Sequence, residues 1–139
     1  MPQKYCLPIR VYVEDTDAGG IVYYANYLKY IERARTELIR TLGFDKPAMF
    51  DDLQFVVHSV NIKYIQSAVL DDRVIATAEL INISRTSFVV AQNVLRGSDL
   101  LAKAEVKIAC IHHKKKRPHA IPSDMLKKLK SAIRKDDDK

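Results

Sequence analysis

Residues 10 to 43 read RVYVEDTDAGGIVYYANYLKYIERARTELIRTLG. A β-type run gives way to an acidic turn, two glycines, an aromatic step and one long amphipathic helix. Tyr27, Leu28, Ile31, Ala34, Leu38 and Leu42 recur at steps of three and four, which defines a single helical face. Gly43 suits the position just past the helix end, and Pro47 bars the helix from resuming. Glu37 stands at helical spacing between Arg33 and Arg40, an outer charge set worth only about a few tenths of a kcal/mol. The aspartates Asp15 and Asp17 thus lie where a strand turns, through Gly19 and Gly20, into a helix start. Such a start offers unpaired N–H groups and the positive end of a dipole, which favour an anion or polarise a carbonyl. This is an active-site layout before any activity is assigned.

Outward from that stretch the periods change. Over residues 5–13, Leu7, Ile9, Val11 and Val13 alternate with Arg10 and Tyr12, the mark of a half-buried strand. Extending its phase carries Asp15 and Asp17 to the buried side and Glu14 to the surface. Residues 44–53, with Pro47, read as an irregular connection. Four strands follow, over 54–65 (Val56, Val60, Ile62 and Tyr64 on one face), 72–83 (Val74, Ala76, Ala78, Leu80), 86–96 (Phe88, Val90, Val94) and 100–111. In the last, Ala102, Ala104, Val106, Ile108 and Cys110 face inward, with Lys103, Glu105 and Lys107 outward. Arg85-Thr86-Ser87 and Gly97-Ser98-Asp99 read as tight connections. Beyond Pro118 and Pro122 a short basic helix begins at Ser123, read as its N-cap, and fades into Asp136-Asp137-Asp138. One strand, one long helix and then four strands define an α+β domain over 1–139, an antiparallel sheet covered by a central helix, with a basic C-terminal helix and tail over about 123–139.

Composition narrows the class. Charged residues at 29% and hydrophobic residues at 47% describe an ordinary soluble globule of one domain. No apolar run approaches the ~20 residues that span a membrane, and no apolar leader opens the chain, so a cytoplasmic location is expected. Cys6 and Cys110 share no metal-ligand spacing and read as buried thiols; no metal site is expected. His58 reads as structural, and His112, His113 and His119 as exposed. The net charge of +6 gathers in Lys114–Arg117 and in the C-terminal helix. Such runs suit nucleic acid, an acidic protein, a phosphorylated ligand or plain solvation. Without a recognisable reading motif, nucleic acid ranks last.

The string EDTDAGGIVYYANYLKYIERARTE, residues 14–37, resembles the signature of the hotdog-fold thioesterases of the 4-hydroxybenzoyl-CoA type. The nearest likeness is to the Tol–Pal-associated (YbgC-type) acyl-CoA thioesterases, and it runs over almost the whole chain. The resemblance implies a sheet of about five strands wrapped around the long helix, with homodimers assembling to homotetramers and active sites at the dimer interface. It implies hydrolysis of acyl-CoA to free acid and CoA, with no cofactor beyond the CoA thioester substrate. Asp17 is implied as nucleophile or general base. The amides around Gly19, Gly20 and Tyr24, the last through its backbone N–H, are implied as carbonyl polarisers. The alternative is a non-catalytic hotdog protein that binds acyl thioesters or acyl carrier protein.

Other residues carry weaker expectations. Asn26 is read as the helix N-cap or a site-lining amide, and Tyr27 as pocket wall or core. Ser84, Arg85, Thr86 and Ser87 occupy the turn that binds the nucleotide phosphates of CoA in the 4-hydroxybenzoyl-CoA branch. The Lys114–Arg117 run is a candidate dock for acyl carrier protein. The chain departs from its nearest relatives at two positions: they carry His where this chain has Tyr24, and Tyr where it has Val13.

Overall fold

The computed structural model describes residues 4–45, 49–50 and 52–133. Strand β1 (Lys4–Arg10) leads through a 3₁₀ turn (Val13–Asp15) into helix α1 (Asn26–Thr41). Then come β2 (Met49–Phe50), β3 (Leu53–Tyr64), β4 (Arg73–Ile83), β5 (Ser87–Arg96), β6 (Asp99–His112) and helix α2 (Ser123–Ala132). All pairings are antiparallel, in the order β1-β4-β5-β6-β3-β2. The five long strands and the helix across them form the hotdog arrangement that the resemblance implied; the two-residue β2 adds a short sixth strand at the edge.

The helix lies over β1, β4 and β5. Tyr27, Tyr30, Ile31, Ala34, Leu38 and Ile39 are buried there, above Val74, Ala76, Ala78 and Leu80 of β4 and Val90 and Val94 of β5. Ala76 and Ala78 leave room for the helix to sit close on β4. Gly43 ends the helix with φ +102°, a conformation that only glycine adopts without strain. Gly97, with φ +60°, opens the two-residue turn between β5 and β6. Pro47 and the Asp136–Asp138 tail lie outside the described residues.

Several expectations are corrected. The first strand stops at Arg10, because the 3₁₀ turn, held by Asp15 N–H to Tyr12 O at 3.0 Å, breaks the period of two. Val13 is therefore 72% exposed, and of the two aspartates only Asp15 turns inward. Cys6 is exposed, since the alternation that buries Leu7 and Ile9 turns it outward; Cys110 is buried, and burial raises its thiol pKa. Leu28, Val60 and Tyr64 are substantially exposed because the helix leaves β3 uncovered. A bulge between Val57 and Ser59 shifts the register of β3 and leaves His58 exposed. His112 and His113 are half-buried, with His113 Nδ1 3.4 Å from Gln54 Oε1. In α2, Pro122 is the cap residue and Ser123 the first helical one.

Candidate active site

The loop between the 3₁₀ turn and α1 is a small hairpin. Thr16 pairs with Val22, Asp17 N–H donates to Ile21 O at 2.9 Å, and Gly20 N–H donates to Asp17 O at 3.0 Å. Gly20 closes this turn with φ +80°. Gly19 N–H donates to Asp17 Oδ1 at 2.8 Å, and a Cβ on Gly19 would stand 3.3 Å from that oxygen. Asp17 thus closes an Asx-turn, which aims its carboxylate. Its second oxygen, Oδ2, has no hydrogen-bond partner among the described residues. Asp17 is exposed in the single chain, against the inward phase extended from β1.

The helix begins tightly. Asn26 N–H donates to Tyr23 O at 2.8 Å, Tyr27 N–H to Tyr24 O at 3.3 Å and Leu28 N–H to Ala25 O at 3.2 Å. These bonds consume three N–H groups that a helix start ordinarily leaves open. The Tyr24 and Ala25 amides are left without an acceptor among the described residues. Asp17 and Tyr24 both line one cavity of about 200 Å³, with Ile21, Val22, Tyr27, Tyr64 and the 65–67 segment.

Two of its walls were not legible as site residues. Tyr64, at the end of β3, stacks edge-on against Tyr24 (5.9 Å between ring centres) and Tyr27 (5.5 Å). Its hydroxyl pKa is raised by burial and by these two neighbours. The 65–72 segment is held by Ala68 N–H to Tyr27 Oη at 2.9 Å, so Tyr27 is buried core whose hydroxyl anchors a site wall. Arg96 Nη1 reaches Asp72 Oδ2 at 2.7 Å and Ser67 O at 3.3 Å, and Asp72 Oδ2 accepts from Val69 N–H at 2.9 Å.

These bonds, first from Val69 and then from Arg96, depress the Asp72 pKa. A depressed carboxylate contributes stability above its unfolded value, about 4, and loses it as pH falls through the folded value. Asp72→Asn is therefore expected to be less stable than wild type at neutral pH, with the gap closing toward pH 3. Melting curves across that range check this, and a gap independent of pH would exclude the ionised Asp72 carboxylate as its cause.

Asn26 is not the cap: Ala25 holds that position without a side-chain bond. The Asn26 side chain is buried, donates through Nδ2 to Asp15 Oδ1 at 2.8 Å, and is absent from the cavity lining. Ser84, Arg85 and Thr86 form the turn between β4 and β5 and Ser87 opens β5, with Ser84 N–H to Ser87 O at 2.8 Å and the two Oγ atoms 2.6 Å apart. Arg85 is exposed, whereas Ser87 is buried beside a small cleft shared with Asn82, Ser84 and Lys107. Within one chain this turn is not brought to the Asp17 cavity. Among the described residues no group of three or more His, Cys, Asp or Glu is placed to hold a metal ion, and no helix is long and apolar enough to cross a membrane.

The fold agrees with the comparisons with known proteins. Residues 19–103 match the thioesterase superfamily (4HBT), and the chain belongs to that family. It is similar to the acyl-CoA thioesterase YbgC of Haemophilus influenzae, 41% identical over 87% of this chain and 90% of that one. The acyl-CoA thioester hydrolase YbgC of an Escherichia coli strain is 39% identical over 88% and 93%. Among solved structures, a probable thioesterase from Bartonella henselae superposes with TM-score 0.77 at 33% identity, covering 86% of this chain and 98% of that one.

Proposed function

We propose that this protein hydrolyses acyl-CoA thioesters to free acid and CoA. The observation that carries the reading is one cavity lined by both Asp17, with an unengaged carboxylate oxygen, and Tyr24, whose amide lacks an acceptor among the described residues. Asp17 either attacks the carbonyl carbon, expelling thiolate and leaving an anhydride that water cleaves, or takes a proton from the attacking water. The Tyr24 amide donates to the oxygen that gains charge, a contribution of about 3–4 kcal/mol where such donors have been removed. The YbgC relatives, named for this chemistry, support the choice of acyl-CoA. Thiol release from short, long and aromatic acyl-CoAs tests it; no release from any of them defeats it. A non-catalytic thioester binder is the alternative, favoured by the engagement of Asp17 Oδ1 in its own turn. Saturable binding without release marks that case.

Cation and hydroxyl groups suited to CoA phosphates stand at Ser84–Ser87, where exposed Arg85 and nearby Lys107 supply the charge. Acyl carrier protein is the other carrier, taken by the exposed Lys114–Arg117 run. We place the protein in the cytoplasm as a homodimer that pairs into tetramers. The dimer is supported by the face between α1 and β3, where Leu28, Val57, Val60 and Tyr64 lie exposed and grooves are walled by Ile39, Phe55 and Val106. Val60→Asp is expected to sediment as monomer where wild type sediments as dimer or larger. An unchanged mass would exclude this face.

A further inference from the structure

We propose that Asp15 and Asn26 are positioning residues that set the Tyr24 amide relative to Asp17, an inference resting on the reading of those two groups given above. Asp15 is 9% exposed and, among the described residues, has no cation within ion-pair distance. A buried carboxylate without a cation is costly unless hydrogen bonds replace its water. Here they do. Oδ2 accepts from Tyr12 N–H at 2.9 Å and Oδ1 from Asn26 Nδ2 at 2.8 Å, while the Asp15 carbonyl accepts from Tyr23 N–H at 2.8 Å. The Tyr30 hydroxyl, buried without a hydrogen-bond partner among the described residues, has its pKa raised first by burial and then by the nearby Asp15.

The placement of these bonds gives them their meaning. Two of them land on Tyr23 and Asn26, on either side of Tyr24 and Ala25, whose amides are the ones left open. Asp15 itself ends the 3₁₀ turn, two residues before Asp17 of the hairpin. One residue thus joins the loop that carries the carboxylate to the helix start that carries the donor. A generic loop brace has no need to bracket the open amides; a device fixing their direction does. Displacing a reacting group by about 1 Å costs on the order of 100-fold in rate.

The test exchanges the pair. Asp15→Asn sets an amide donor against either Tyr12 N–H or Asn26 Nδ2, and Asn26→Asp sets two buried carboxylates face to face. In the double exchange, the amide oxygen introduced at position 15 accepts from Tyr12 N–H and its nitrogen donates to the carboxylate introduced at position 26. Each single variant is expected to lower kcat by about 100-fold with KM for the best acyl-CoA nearly unchanged, and the double exchange to restore most of it. In the Asp17→Asn background the same exchanges are expected to add little further loss, because groups acting as a unit are not additive.

If either single variant folds poorly, Asn26→Ser keeps a short donor, and an intermediate kcat at unchanged KM supports the inference. Loss of kcat that tracks the melting temperature and is not restored by the exchange overturns it. So does wild-type kcat in both Asp15→Asn and Asn26→Ser. Wild-type protein that releases no thiol removes the underlying reading instead.

Discussion

Asp17→Asn is expected to lower kcat for thioester hydrolysis by about 10²–10⁴-fold, the range of a lost acid–base or nucleophilic group. The replacement is nearly isosteric. Its amide oxygen still accepts from Gly19 N–H, the 2.8 Å bond that aims the side chain, so the turn and the cavity shape persist. What disappears is the unengaged anionic oxygen of a residue that shares its cavity with Tyr24. KM and the melting temperature are therefore expected to stay close to wild type, with stability within about 0.5 kcal/mol. Steady-state thiol release with both constants resolved is the measurement. Turnover retained in this variant would remove Asp17 from the chemistry; collapse of kcat and KM together would point to a lost pocket.

The largest effect on stability is expected at Gln92, far from the reacting groups. This side chain is 1% exposed under the helix. Its Nε2 donates to Ile31 O at 2.7 Å and Thr77 O at 3.1 Å, tying α1 to β4, and its Oε1 accepts from Arg35 Nη1 at 3.0 Å. Arg35 is half-buried, and burial lowers its pKa. Gln92→Leu keeps roughly the volume but removes all three bonds and leaves a desolvated guanidinium without its acceptor. The expected loss is about 2–4 kcal/mol, since an orphaned buried donor costs more than the bond it made. Urea unfolding measures it. Adding Arg35→Met removes the orphaned charge and is expected to recover part of the loss; no recovery would show that the Arg35 contact carries none of it.

How much of this was legible depended on what covers each segment. In β4, β5 and β6 one face lies under cover, so Ala102 to Cys110 alternate cleanly and Val74 to Leu80 alternate apart from the buried Thr77, and their sequence declares it. In β3 the same alternation misleads, because among the described residues nothing covers Val60 closely and Tyr64, met only edge-on by Tyr24 and Tyr27, stays substantially exposed. The phase of β1 failed at the 3₁₀ turn, where Asp15 draws the backbone of Tyr12 toward itself and the period of two ends. Asn26 has the residue type of a cap, yet the buried carboxylate of Asp15 claims its amide. The site was readable where its parts are local, in the Asp17–Gly20 turn and the start of α1. Its far wall was not, because Tyr27 to Ala68 and Arg96 to Ser67 are long-range bonds that no local pattern encodes.

The tyrosines have a practical consequence. The chain has seven tyrosines and no tryptophan. Five of the seven form one continuous row, Tyr23 to Tyr24 at 5.0 Å, Tyr24 to Tyr64, Tyr64 to Tyr27, and Tyr27 to Tyr30 at 6.0 Å. The intrinsic ultraviolet emission and near-ultraviolet dichroism of the protein therefore originate mainly around its own cavity. Rings this close exchange excitation, so a ligand that quenches one dims the whole row. Occupancy of the site can be read optically on the unlabelled wild-type chain.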